Sequence, residues 1–91
     1  MHKIYKYSIR QGTSKILLPK NADILCVKIQ NDRPTLWALV DVDTEEREER
    51  VIRVLATGFD SVENPGTLKF IDTVLLAGGQ LVYHVFEQLT K

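Results

Sequence analysis

Few residues in this sequence are equipped for chemistry. Two histidines, His2 and His84, stand far apart in the chain, and there is no Cys-x-x-Cys pair. A zinc site from this inventory would need carboxylates to complete its ligands. Asp41, Asp43 and Glu45 alternate and can share one strand edge. They lack the glycine and the ligand spacing of a calcium loop. Neither a metal nor a cofactor is expected. Nucleophilic catalysis needs a Ser, Cys or Thr beside a base. No Gly-x-Ser-x-Gly elbow is present, and the candidate base is His84. Val82 and Phe86 flank it on its strand face, so its ordinary reading is a packed, hydrogen-bonded histidine. Its sharper reading is an acid or base that titrates near neutral pH. The absence of a nucleophile–base pattern favours a protein that is not an enzyme.

Binding chemistry has more to offer. Thr57-Gly58 ends a strand and opens a long loop. Read plainly it is a turn; read sharply it is an open rim whose backbone N–H groups can meet an anion. Gly78-Gly79 reads as a hairpin turn. Trp37 shares a face with Leu39 and is either core or a stacking surface. Tyr5 and Tyr7 share a face, while Lys6 and Arg10 lie on the polar side of the same strand. Arg53 stands between Val51 and Leu55 on one face. A cation on an apolar strand face needs a partner, which can be an acid, an anionic ligand or another protein's carboxylate.

The elements that must position these residues are strands. Tyr5, Tyr7 and Ile9 alternate with Lys6, Ser8 and Arg10, the pattern of a half-buried strand. Gln11-Gly12-Thr13 reads as a turn, and Lys15–Leu18 as a second strand ended by Pro19. These two are expected to form a hairpin. Asn21-Ala22-Asp23 turns into a strand from Ile24 to Gln30, with Leu25, Val27 and Ile29 on one face. Asn31–Pro34 has high turn preference, and Thr35–Asp43 is the next strand. The charge run Asp43–Arg50 has no apolar face and reads as a solvated hairpin tip. Val51–Thr57 alternates again. Gly58–Thr67 is a loop with room for one helical turn near Ser61-Val62-Glu63. Leu68–Leu76 carries Leu68, Phe70, Val74 and Leu76 on one face. Two glycines then precede the last strand, Leu81–Phe86. The expected fold is all-β: about seven antiparallel strands in a small sandwich or barrel, as one domain over residues 1–91.

Composition narrows the class. Of 91 residues, 44% are hydrophobic and 26% charged, which suits a folded domain and argues against disorder. Twelve basic and twelve acidic residues cancel. General nucleic-acid binding, which rests on excess positive charge, is therefore not expected. Low net charge leaves little repulsion against self-association, so a homo-oligomer is expected. The lone Cys26 can form no intramolecular disulfide and reads as a small buried hydrophobe. Met1 to Lys6 has no signal-peptide core, and no stretch is long enough to span a bilayer. A cytoplasmic protein without membrane contact is expected.

The ordered segments Ile4-Tyr5-Lys6-Tyr7, Leu36-Trp37-Ala38-Leu39-Val40-Asp41, Thr57-Gly58 and His84-Val85-Phe86-Glu87 resemble a family of small proteins encoded by bacteriophages and prophage-bearing bacteria. The resemblance spans nearly the whole chain. The family pattern carries a histidine after its Thr-Gly, where this chain has Phe59, so a role for that histidine is lost or altered here. The resemblance implies a phage or prophage setting in the cytoplasm of a bacterial host. It implies action by binding: a counter-defence factor that sequesters a small anionic, nucleotide-like molecule or blocks a host protein. The matched positions are Lys6, Trp37, Thr57, Gly58 and His84. Their implied roles are anion contact by Lys6 and the Thr57-Gly58 backbone, stacking by Trp37 and hydrogen bonding by His84. The alternatives are a structural or assembly component of a virion and, behind it, a small enzyme using His84.

Overall fold

Alternating apolar residues build seven antiparallel strands in the computed structural model, which describes residues 1–89. They are β1 (His2–Ser8), β2 (Gly12–Pro19), β3 (Asp23–Gln30), β4 (Arg33–Asp41), β5 (Arg47–Ala56), β6 (Leu68–Leu76) and β7 (Leu81–Gln88). Two sheets form, a three-stranded one in the order β1-β4-β3 and a four-stranded one in the order β2-β5-β7-β6. They stack as an open sandwich, not a closed barrel. The described residues hold no α-helix. Single 3-10 turns lie at Pro65–Thr67 and Ala77–Gly79, and none forms at the expected Ser61-Val62-Glu63.

The core is filled from both sheets. Leu36, Val40 and Val27 face Ile52, Val54, Val85 and Leu18, all fully buried. Each such side chain contributes about 1.5–3 kcal/mol through removal from water. Two hairpins follow expectation. Asn31 and Asp32 both take positive φ between β3 and β4, the mark of a two-residue turn that matches strand twist. That turn is shorter than the sequence suggests, because Arg33 and Pro34 already belong to β4. Gly78 and Gly79, at φ 67 and 92, carry the chain from β6 to β7.

Two expected hairpins do not form. β1 pairs with β4 and β2 with β5, so residues 9–11 cross from one sheet to the other. The apolar β4 and β5 each gain neighbours on both sides this way, and their ladder groups are not left at an edge. Likewise, the charge run is not a hairpin tip. Residues 42–46 cross between sheets, and Arg47-Glu48-Glu49-Arg50 is the start of β5, paired with Ile16–Pro19. Alternation sends Arg50 inward at the sandwich rim. There it forms an ion pair with Glu87 of β7, donates from Nη1 to the Ala22 carbonyl at 2.9 Å, and lies 3.5 Å from Glu48. A charge can sit at that depth because it is paired and hydrogen-bonded.

β-Bulges correct two faces read from alternation. In β3 the register shifts between Ile24 and Cys26. Ile24 therefore packs on the core with Val27, and Leu25 is exposed. In β6 the shift falls between Phe70 and Asp72. Ile71 packs inward, Phe70 is exposed, and Val74 is buried. One extra residue inverts the parity of everything beyond it.

The β6 bulge has a second effect. It aims Asp72 inward, at the edge of β3 in the other sheet. Its Oδ2 accepts the Val27 N–H at 3.3 Å and lies 3.2 Å from Lys28 Nζ, while its Oδ1 accepts the Thr73 N–H at 2.9 Å. Burial pushes this carboxyl pKa up, but the Val27 N–H, the Lys28 ammonium and the Thr73 N–H together hold it below the ordinary carboxylate value. A depressed pKa stabilises the fold above the unfolded-state pKa, and that stabilisation disappears as pH falls through the folded-state value. Asp72→Ala is expected to cost about 2 kcal/mol at neutral pH. The difference in urea unfolding between wild type and Asp72→Asn is expected to narrow steadily below about pH 4.

Candidate functional site

The five matched residues fall into two groups on opposite outer faces of the sandwich. Directly opposed residues in an antiparallel pair share a face. Lys6 lies opposite Trp37, and Trp37 opposite Cys26, across β1, β4 and β3. Leu36, Ala38 and Val40 are buried inward, so Lys6 and Trp37 face out. Trp37 is half-buried and Cys26 likewise, so the cysteine is not a core residue. Lys6 Nζ donates to Gln30 Oε1 at 2.8 Å across the central strand.

Thr57, Gly58 and His84 gather on the other side. His84 of β7 lies between Leu55 of β5 and Thr73 of β6 on the outer face of the four-stranded sheet. Its Nε2 is 2.6 Å from the Thr57 hydroxyl and its Nδ1 is 3.2 Å from the Thr73 hydroxyl. The Thr57 hydroxyl also lies 3.1 Å from the Val82 carbonyl. One assignment uses every proton: His84 Nε2–H donates to Thr57, Thr57 O–H donates to Val82, and Thr73 O–H donates to Nδ1. In that chain the imidazole has no free lone pair for Thr57, and no carboxylate orients it. The ring ties the end of β5 to β6. Gly58 follows at φ 77, a conformation that favours glycine, and nothing crowds its α-carbon. Phe59, where the resembling pattern has histidine, is 88% exposed.

A concavity with an apolar lining lies elsewhere. At the end of the sandwich, where residues 9–11 cross, a cleft of about 480 Å³ opens between the sheets. Ile9, Pro34, Val54 and Leu76 give it an apolar lining, and Tyr83, Arg10 and Arg33 line it too. The Tyr83 hydroxyl donates to Gln11 Oε1 at 3.2 Å. Neither guanidinium forms an ion pair among the described residues, whereas Arg47 and Arg50 find carbonyl or carboxylate partners. A second groove holds Lys6, Gln30 and Thr35, and shares Ser8 and Arg33 with this cleft. Lys6, Arg33 and Arg10 thus follow one another along connected concavities. Lys6 is the one matched residue on this path; Trp37, Thr57, Gly58 and His84 line neither.

Sequence reasoning placed Arg10 on a polar strand face and Arg33 in a turn, without joining them. Each stands next to a chain reversal, and only the β1–β4 pairing brings the two reversals together. Among the described residues no group of three His, Cys, Asp or Glu gathers for a metal. No helix is long and apolar enough to cross a membrane.

If His84 is a tether, its loss should loosen structure locally. His84→Ala is expected to cost about 1–2 kcal/mol and to speed hydrogen exchange at the Thr57 amide, which donates to Val82. His84→Gln, which can still donate and accept, should recover part of that protection.

No curated protein and no solved structure matches the chain. A family model described as a domain of unknown function, DUF7352, matches residues 1–91, and the chain belongs to that family.

Proposed function

We propose that this protein is a non-catalytic binding protein that captures a small anionic, nucleotide-like molecule in the cleft at the end of the sandwich. The observation that carries this reading is the pair Arg10 and Arg33, two guanidinium groups without acidic partners among the described residues, beside an apolar, tyrosine-bearing cleft. Arginine presents a planar fork suited to phosphate and carboxylate oxygens. An apolar lining with a few convergent polar groups is the usual make-up of a small-molecule site. Tyr83 and Pro34 offer flat surfaces to a base or sugar, and Lys6 adds a cation along the connected groove. The resemblance to phage and prophage proteins implies the setting, an accessory factor in the bacterial cytoplasm acting by sequestration against host defence, and the near-zero net charge supports a homo-oligomer.

A second reading, a surface that blocks a host protein, has its own support. Ile4, Leu39, Trp37 and Cys26 are neighbours by register on the outer face of the three-stranded sheet, and Ile4 is 59% exposed. The enzyme reading has less, because both nitrogens of His84 are engaged by threonine hydroxyls.

A thermal-shift panel of mono-, di- and cyclic nucleotides tests the leading reading. A ligand at about 100 times its Kd should add about 2.7 kcal/mol of stability and raise the melting temperature. Arg10→Ala and Arg33→Ala should each weaken that ligand by about tenfold or more. A panel with no response, or a response that survives in the double variant, would contradict the assignment.

A further inference from the structure

The connection from β5 to β6, residues 57–67, passes over β7 on the outer face of the four-stranded sheet. It is held at its start by Asp60 Oδ2, which accepts the Ala56 N–H at 2.8 Å. At its end, the Leu89 N–H donates to the Thr67 carbonyl at 2.7 Å. Between this crossover and the sheet lies a cleft of about 340 Å³. Arg53 of β5 lines it, with Ser61, Glu63, Asn64 and Thr67 from the crossover and Gln88 from β7.

Arg53 is incompletely satisfied. Its Nη1 donates to the neutral Gln88 Oε1 at 3.1 Å, and its Nε is sealed from solvent with no acceptor among the described residues. It forms no ion pair among the described residues. A shielded guanidinium with no anion beside it is unfavourable in isolation. Glu63 lines the same cleft and likewise forms no ion pair among the described residues. One cation and one anion therefore share a small polar cavity without pairing with each other. Chemically this suits a ligand that carries both charges in reverse order. Its carboxylate would meet the guanidinium, its ammonium would meet Glu63, and the hydroxyl and amide groups of Ser61, Asn64 and Gln88 would meet its remaining polar atoms.

We infer that the cleft beneath the 57–67 crossover is a second binding site, specific for a small zwitterion of the free α-amino acid class and anchored by Arg53 and Glu63. It is separate from the Arg10–Arg33 cleft and does not depend on it.

Titration of the isotope-labelled protein with free amino acids, followed by backbone amide NMR shifts, tests this. Shifts confined to residues 61–67 and Gln88 are expected with one or more amino acids. Acetate alone or methylamine alone should give roughly tenfold weaker effects, each having half of the ligand's charge pair. Glu63→Gln, on an exposed loop where folding is not at stake, should weaken binding roughly tenfold, and Arg53→Gln should do so at least as much. The Arg10→Ala/Arg33→Ala double variant should leave these shifts unchanged. The inference is overturned if no amino acid perturbs these amides, or if Glu63→Gln binds as well as wild type. It is also overturned if acetate alone matches the amino acid.

Discussion

Burial of the apolar inner faces stacks the two sheets, and along one side a single carboxylate ties their edges together. Asp72 reaches from β6 to the Val27 N–H and the Lys28 ammonium of β3. Both partners belong to an edge strand, whose outward N–H groups have no ladder to enter. The bulge between Phe70 and Asp72 makes the reach possible, because it turns Asp72 inward where strict alternation would not. The same bulge turns Phe70 out to form an edge-to-face pair with Phe86, ring centroids 5.7 Å apart. One irregularity thus sets both the closure of the sandwich and the apolar character of an outer face.

The closure is uneven. Along one side β3 and β6 lie edge to edge, and Arg50 and Glu87 add a second polar fastening through the Ala22 carbonyl. At the end where residues 9–11 cross, the sheets part, and the space between them is the cleft that carries Arg10 and Arg33. Shielded charges at the closed side are paired, while the cations at the open end are not. That contrast between paired and unpaired charges is what supports the proposed binding at the open end.

Alternation was enough to read seven strands, the Asn31-Asp32 and Gly78-Gly79 turns and the all-β class, because each is written in consecutive residues. Partner choice was not legible. Nothing local in β1 says that it pairs with β4 and not with β2; the preference arises from the need of β4 for neighbours on both sides. Bulges were equally hidden, since the sequence of Ile24-Leu25-Cys26 or Phe70-Ile71-Asp72 looks the same with or without one. The Asp43–Arg50 run is largely exposed, as its polarity suggests, but it belongs in part to β5, and its last residue, Arg50, turns inward to Glu87, a partner far away in sequence. For the site, types were legible and assembly was not. Lys6 and Trp37 are neighbours, as are Thr57, Gly58 and His84, but the two groups lie on opposite faces. Arg53 stands out in the sequence as a cation that needs a partner on an apolar strand face, and in the fold its Nη1 meets Gln88. Arg10 and Arg33 could not be joined from sequence, because only the pairing of β1 with β4 brings them together.

We propose that the open end of this stapled sandwich holds an anion. Native mass spectrometry of the protein isolated from cells of its natural setting, compared with the Arg10→Ala/Arg33→Ala double variant from the same cells, addresses that claim most directly. The account predicts an added mass in the range of a nucleotide on the wild-type chain, released by denaturation and missing from the variant. A wild-type spectrum with bare chain masses alone, or the same passenger on both proteins, would contradict it.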